Sequence, residues 1–153
     1  MDYQTELEKT LNRIAKKGIA FLATSYKDKP SIRPVSVVLY DGKIAFQTST
    51  KLLKYRQLEA NPHVAFSVDN ISVDCVATIK GHPTNELDFL TRYQDKHKGS
   101  FENYTHMQSN RVIELTPVRI QRWDYIDGEP YIVTLDLTNE TLQNEHYSHL
   151  QKD

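Results

Sequence analysis

Apolar and polar residues follow a regular order between Ser31 and Asp69. Two apolar runs, 35–40 and 43–48, flank the dipeptide Asp41-Gly42. This dipeptide between apolar runs is the strongest short sequence signal for a β-hairpin, because both residues accept the backbone angles of a tight turn. The pattern therefore predicts two antiparallel strands joined at this turn.

A polar cluster at 48–51, Thr-Ser-Thr-Lys, follows the hairpin and precedes an amphipathic segment at 52–58. Pro62 closes this segment, because proline cannot continue a helix, and a third apolar run follows at 63–68. The order predicts a short helix that opens from a turn rich in hydroxyl groups. The unpaired N–H groups and the dipole at a helix N-terminus favour an anion, so this turn is a candidate phosphate site.

The rest of the chain predicts a mainly β fold with peripheral helices. Leu7, Leu11 and Ile14 are spaced three and four residues apart, which predicts a helix over 3–17 that ends at Gly18. A second long helix is expected at 85–96. Strands are expected at 19–25, 32–40, 44–47, 63–69, 73–80, 111–123 and 131–137. Short strands with tight turns favour an antiparallel barrel or sandwich.

Two polar segments lack any period. Residues 97–109 are polar and aromatic and are expected to form a mobile loop, and residues 139–153 are expected to be a frayed or loosely docked tail. The length of 153 residues favours a single domain. We therefore expect one domain over 1–138, followed by the polar C-terminal tail over 139–153.

Composition excludes several classes of function. The 19 Lys and Arg against 20 Asp and Glu give a net charge of −1, so no overall field attracts nucleic acid or an anionic membrane. No apolar run is long enough to cross a bilayer, and the first residues are acidic and polar rather than a secretory signal. The single cysteine, Cys75, rules out an internal disulfide and fits a reducing compartment. We expect a soluble cytoplasmic protein that uses neither nucleic acid nor membrane as a partner.

Cations near the hydroxyl turn are the strongest candidates for binding chemistry. Arg33 precedes Pro34 on a predicted strand, and Lys51 and Lys54 lie three residues apart at the start of the predicted helix. Together they would form a fork for a phosphate group. Each feature also has an ordinary interpretation. Arg33 would be a solvated side chain, the two lysines would be a charged helix face, and the hydroxyl groups at 48–50 would only cap the helix.

Other catalytic signals are weak. The six histidines lack the spacing of a metal site, and no phosphate-binding glycine loop or nucleophile motif is present. Cys75 has no basic neighbour in sequence and is expected to be buried and inert. Trp123, as a lone aromatic near a turn, is more typical of a core or an interface than of a cofactor contact.

The residues nevertheless resemble one family. Its pattern is read here in R-P-V at 33–35, D-G-K-I-A-F-Q-T at 41–48, S-T-K at 49–51 and L-E-A-N-P-H-V-A-F at 58–66. This order and spacing are similar to those of the flavin-binding split-barrel proteins, the relatives of pyridoxamine 5'-phosphate oxidase. The resemblance is strongest over 21–68 and extends more weakly to residue 131.

The resemblance implies a six-stranded antiparallel Greek-key split barrel that forms a homodimer, with FMN in a groove at the dimer interface. Carried over by position, the phosphate would be held by Arg33, Lys51 and Lys54. The strand backbone would run along the isoalloxazine ring, and Trp123 would reach the flavin of the partner subunit. The remaining cofactor-binding positions implied are Pro34, Val35, Ser36, Gln47, Thr48 and Ser49.

Two departures separate this chain from the vitamer oxidase itself. The oxidase has an arginine and a histidine after the tryptophan, whereas residues 124–130 contain neither. The strand lysine of the oxidase is Val38 in this chain. Oxidation of pyridoxamine phosphate is therefore not expected.

The leading hypothesis is an FMN-dependent oxidoreductase that exchanges a hydride with a small molecule or a nicotinamide. Tyr26, Tyr104 and His106 are candidates for the substrate side. The alternative is a non-catalytic protein that binds or senses a flavin, a deazaflavin or haem. A small-barrel nucleic-acid binder is a third class, which the near-neutral charge disfavours.

Overall fold

A computed structural model describes residues 1–148, and these residues form an antiparallel sheet with helices at its periphery. The helices are α1 (Tyr3–Lys17), α2 (Leu53–Ala60), α3 (Leu87–Lys96) and α4 (Lys98–Tyr104), with a 3₁₀ turn at Pro83–Asn85. The strands are β1 (Ile19–Tyr26), β2 (Lys29–Ser36), β3 (Val38–Tyr40), β4 (Lys43–Ser49), β5 (His63–Val68), β6 (Ile71–Ile79), β7 (Asn110–Ile126), β8 (Glu129–Asp136) and β9 (Thr141–His146).

The strand order is β2-β1-β5-β6-β7-β4-β3, with β8 on the far half of β7 and β9 on β8. All pairs are antiparallel, and the sheet curves without closing. This confirms the mainly β, split-barrel fold class, with nine strands where the resemblance implied six. One reason is Val37, whose N–H donates to the carbonyl of Gly18 and so divides the predicted strand 32–40 into β2 and β3.

Helix α1 matches its predicted range and covers the main core. Asp2 caps its first turn by accepting from the N–H of Thr5, and Gly18 ends it in the left-handed conformation. Leu11 and Ile14 are buried in the main cluster of the sheet. Arg122 of β7 bonds Glu6 and Thr10 of this helix and so holds it on the sheet. Arg122 also pairs with Asp124 of its own strand.

A smaller cluster lies under α3 and α4 and corrects one prediction. Phe89 and Tyr93 of α3 pack with Tyr40, and Phe101 of α4 packs against the same group. Residues 97–109, which we expected to be a mobile loop, therefore contain a helix, because Phe101 gives the segment an apolar contact. The helix predicted at 85–96 begins at Leu87 instead.

The polar tail is also more structured than expected. Residues 141–146 form β9, which pairs with β8 through the register Leu135↔Leu142. Leu142 packs against the main core, so one apolar side chain anchors an otherwise polar strand. The prediction of a frayed tail is therefore wrong for residues 141–146. Residues 149–153 lie outside the described residues.

One face of the sheet carries exposed apolar side chains. We call it the outer sheet face and define it by Phe21, Ala23, Ile32, Pro34 and Ala65, which the strand register places side by side. Phe21 is 50% exposed and Ile32 is 69% exposed. No other described element covers this face.

Over residues 1–148, no helix is both long enough and apolar enough to span a membrane.

Candidate functional site

A cleft of about 500 Å³ lies between the end of β4, the start of α2 and the α3–α4 segment. We call it the Lys54 cleft. From the β4–α2 turn it is lined by predicted site residues, namely Gln47, Thr48, Ser49, Lys51 and Lys54, together with Leu52. The opposite wall consists of Tyr93, Ser100, Tyr104, Met107 and Asn110.

The turn that leaves β4 is held by backbone and hydroxyl contacts. The N–H of Thr50 donates to the carbonyl of Ser109, and the hydroxyls of Ser49 and Ser109 lie 2.8 Å apart. Ser49 Oγ also accepts from the N–H of Lys51 at 3.2 Å. The turn therefore stays in place through contacts with the residues that precede β7.

The hydroxyls of this turn do not cap α2. Leu52 is the N-cap residue and makes no side-chain bond to the helix, so the alternative that residues 48–50 only cap the helix is wrong. The Ser49 hydroxyl contacts that of Ser109 instead, and Thr48 and Ser49 both line the cleft.

Thr48 is the most informative of these residues. Its side chain is 3% exposed, and its hydroxyl has no hydrogen-bond partner among the described residues although it lines the cleft. A buried hydroxyl without a partner is costly, and a polar ligand atom beside it would supply the missing bond.

Two cations of the site, Lys54 and Arg33, lie close to each other. Lys54 is half-buried, and burial, followed by the nearby positive charge of Arg33, lowers its pKa. Burial also lowers the pKa of Arg33. Neither Lys51 nor Lys54 forms an ion pair or side-chain hydrogen bond with any residue in 1–148. Like charges held together in a partly buried place favour a bound anion.

Arg33 stands beside Lys54 without lining the cleft wall itself. Its guanidinium donates to the Leu22 carbonyl at 3.3 Å, to Thr24 Oγ1 at 2.7 Å and to Gln57 Oε1 at 3.4 Å. It is therefore an ordered cation, not the solvated side chain of the alternative interpretation.

The other predicted positions on β2 occupy the edge strand of the sheet. Pro34 is exposed on the outer sheet face, and Val35 is buried in the core. Ser36 approaches the hydroxyl of Tyr93, which also bonds Ser100 at 2.9 Å. In the single chain these β2 residues do not line the cleft.

Trp123 lies far along β7 from the cleft, which adjoins Asn110 at the other end of the strand. Its ring is 39% exposed and packs 4.7 Å from the ring of Tyr147. Alternation along β7 places Trp123 on the same face as Gln121, which the register connects across β6 and β5 to Phe21. Trp123 therefore extends the outer sheet face.

The substrate-side candidates separate clearly. Tyr104 lines the cleft, whereas Tyr26 is exposed at the end of β1 under Lys27, and His106 packs against Phe101. Sequence reasoning missed Tyr93, Ser100, Met107 and Asn110 as lining residues. Only Tyr93 gave a signal, as an aromatic residue on the apolar face of a predicted helix.

The sequence matches the family model for pyridoxamine 5'-phosphate oxidase over residues 7–124. The chain belongs to this family. The match spans both the β4–α2 turn that forms the cleft and the strand that carries Trp123. No curated protein sequence matches the chain significantly.

Solved structures show the same fold as this family member. Campylobacter jejuni ChuZ has a TM-score of 0.71 at 12% identity, covering 93% of this chain and 62% of the other. HutZ, a heme storage protein from Vibrio cholerae, has a TM-score of 0.61 at 16% identity, covering 72% and 89%. An F420 reductase has a TM-score of 0.52 at 24% identity, covering 67% and 87%. At these identities the likeness concerns the fold alone.

No group of three or more His, Cys, Asp or Glu side chains gathers as a metal site within residues 1–148. Cys75 is buried, and its burial raises the pKa of the thiol, so it remains a protonated core residue.

Proposed function

We propose that this protein binds FMN in the Lys54 cleft and acts as an oxidoreductase on a small molecule. The observation that carries the proposal is that one wall of the cleft combines the unpartnered Thr48 hydroxyl with two unpaired lysines, Lys51 and Lys54. A phosphate dianion supplies acceptors for all three groups. The family match supports a flavin as the molecule that carries this phosphate.

The donor set fits the phosphate end of FMN. Lys51 and Lys54 offer ammonium groups, Thr48 offers a hydroxyl, and Arg33 adds a charge beside Lys54. The other wall offers Tyr104 and Met107, whose exposed apolar surfaces suit a flat ring. FMN supplies the hydride exchange when it is bound, and the protein supplies position and electrostatics.

We further propose that the working form is a homodimer with the cofactor at the interface. The outer sheet face exposes the apolar side chains of Phe21 and Ile32. Exposing these side chains to water does not stabilise a monomer, and an apolar patch of this kind marks an interaction surface. Trp123 lies at the margin of this face, so a second copy seated there would carry its own tryptophan across the boundary. This arrangement would bring Trp123 toward the partner's cleft, which it does not reach in its own chain.

Oxidation of pyridoxamine phosphate remains outside the proposal. Residues 124–130, which lack the expected arginine and histidine, form the tip of the β7–β8 hairpin. The substrate is therefore a different small molecule or a nicotinamide. We propose the cytoplasm as the location of the protein, because its single cysteine is buried and free, as suits a reducing compartment.

Haem binding is the second candidate, because HutZ shares the fold and is a heme storage protein. The described lining of the Lys54 cleft contains no histidine, although it does contain tyrosine and methionine, which are residue types that can ligate haem iron. Its lysines would suit the propionates of haem as well as a phosphate, so it is the family match that favours the flavin.

The test is to load the purified protein separately with FMN and with haemin, remove the excess, and record absorbance spectra. Flavin bands that stay with the protein, and that bleach anaerobically when NADH or NADPH is added, support the proposed oxidoreductase. Retained flavin without bleaching by any nicotinamide or small donor would leave only the binding function. A haem band with no retained flavin would overturn the proposal.

Lys54 gives this binding a characteristic pH dependence. Its pKa is lowered in the free protein, and a bound phosphate would raise it again, so FMN affinity should fall as pH rises through the lowered pKa. Below that pH Lys54 is fully charged, so its titration should no longer change the affinity for FMN. Dissociation constants for FMN and for riboflavin, measured from neutral into alkaline pH, check this.

Lys54→Arg is the matched control for the pH series, because arginine keeps its charge throughout the range. In this variant the alkaline fall in the ratio of FMN affinity to riboflavin affinity should disappear, because titration of the flavin ring affects both ligands alike and cancels in the ratio. An unchanged alkaline fall in the Lys54→Arg variant would show that another group is responsible.

A further inference from the structure

Arg33 is held in place by two buried polar side chains behind it. Thr24 is 2% exposed and Gln57 is 6% exposed. Thr24 Oγ1 accepts from Arg33 Nη1 at 2.7 Å and donates to Gln57 Oε1 at 2.6 Å. Gln57 Oε1 accepts a second bond from Arg33 Nη2 at 3.4 Å, which closes a ring of contacts.

The amide of Gln57 has one possible orientation in this ring. Its Nε2 donates to the Lys29 carbonyl at 3.3 Å, on the side of the β1–β2 turn. The oxygen must therefore face Thr24 and Arg33. A buried amide that is bonded through both its oxygen and its nitrogen in this way specifies one geometry for the groups it contacts.

The ring leaves part of the guanidinium free. Arginine has five N–H donors. Nη1 uses its two on Leu22 and Thr24, and Nη2 uses one on Gln57. Nε and the second Nη2 donor have no partner among the described residues. These two donors form one edge of the fork, the edge that recognises phosphate in a bidentate manner.

Gln57 also connects Arg33 to the cleft through α2. It lies three residues after Lys54, so both side chains are on the same side of the helix. Lys54 is close enough to Arg33 to feel its charge. One residue of α2 therefore fixes the arginine, while another, one turn earlier, lines the cleft.

We propose that Gln57, together with Thr24, is a positioning residue that orients Arg33 for the phosphate of the cofactor. This inference rests on the proposed FMN site and deepens it. Without the ring, Arg33 would sample several rotamers beside a like charge, and binding would have to order it. With the ring, the fork is already oriented before the ligand arrives.

A merely structural role predicts a different result. Gln57 also ties α2 to the β1–β2 turn, so losing it will loosen the protein to some degree. Loosening affects every ligand of the cleft, whereas positioning of Arg33 affects only ligands with a phosphate. Riboflavin is FMN without the phosphate, so the ratio of the two affinities separates these roles.

The experiment measures dissociation constants for FMN and riboflavin in the wild type, Gln57→Leu and Thr24→Val. We expect the preference of the wild type for FMN to shrink by about tenfold in each variant, since tenfold corresponds to about 1.4 kcal/mol. Riboflavin affinity should change by less than about twofold, which corresponds to less than about 0.5 kcal/mol, because riboflavin has no phosphate for Arg33 to bind. Thr24→Val preserves shape and decides the question if Gln57→Leu does not fold.

Asn61→Ala is the matched control. Asn61 also ties α2 to β1, through the Ser25 carbonyl, but does not contact Arg33. It should leave the FMN preference unchanged. A wild type that prefers FMN, with the same preference kept in Gln57→Leu or Thr24→Val, would overturn the positioning role alone. A wild type that binds riboflavin as well as FMN would overturn the phosphate site and this inference together.

Discussion

Replacing Arg33 and Lys54 together with alanine is expected to weaken FMN binding by at least about 100-fold while the fold stays intact. Each charge-assisted bond to the phosphate is worth about 1.5–3 kcal/mol, so two losses exceed the roughly 2.7 kcal/mol that 100-fold requires. The fold should persist because neither residue belongs to the buried core. Fluorescence titration with FMN and a thermal unfolding curve measure the two quantities.

The control for this variant is Lys9→Ala with Lys16→Ala, which removes the same charge from exposed positions on α1. It should bind FMN as the wild type does. If the Arg33 and Lys54 variant keeps wild-type FMN affinity, the phosphate is held elsewhere and the Lys54 cleft is wrongly assigned.

Replacing Phe21 with aspartate is expected to convert the proposed homodimer to a monomer and to lower the affinity for FMN at the same time. Phe21 lies on the outer sheet face, paired with Pro34 and next to Ala23 and Ile32. Two copies packed through this face would bury an aspartate from each among apolar side chains, at a cost of several kcal/mol. Sedimentation equilibrium measures the mass, and FMN titration of the same sample measures the cofactor site.

Leu87→Asp is the matched control for Phe21→Asp. Leu87 is an exposed apolar residue at the start of α3, away from the outer sheet face. This variant should remain dimeric, since aspartate in the first turn of a helix is favourable. A Phe21→Asp protein that stays dimeric would show that the copies associate through a different face.

The β4–α2 region shows which parts of the site the sequence can predict. Residues 47–54 lie within one strand end, one turn and one helix start, so their proximity follows from local structure. Six of them line one cleft, namely Gln47, Thr48, Ser49, Lys51, Leu52 and Lys54. The closeness of Arg33 to Lys54 depends on the packing of α2 against β1, and was expected from the family resemblance as well as from its residue type.

The far wall of the cleft could not be predicted because its segment has weak local signals. Helix α4 has the sequence KGSFENY, with a glycine and a single partly buried apolar anchor, Phe101. Strand β9 has the same difficulty, since its sequence TLQNEH is polar on both faces except for Leu142. In both cases a tertiary contact, rather than propensity, decides the structure.

Thr24 and Gln57 show a further limit. A threonine in an apolar strand and a glutamine in a short helix have no sequence feature that reveals a shared bond. The two residues are 33 positions apart in the sequence, and only the fold brings them into contact. For Trp123, the family resemblance implies contact with the flavin of the partner subunit. In the single chain Trp123 lies away from the cleft, and its role in the partner stays a prediction.

The length of β7 has a consequence for how the protein is made. β4 pairs only with β3 and β7, and β6 pairs only with β5 and β7, among the described strands. A nascent chain that has not yet delivered residues 110–126 therefore holds two unjoined pieces of sheet with bare edges. Pairings this distant in sequence form slowly, and bare edges attract other chains. Since Ser109 and Asn110 also complete the cleft, the ligand site comes into being in the same late step that joins the sheet.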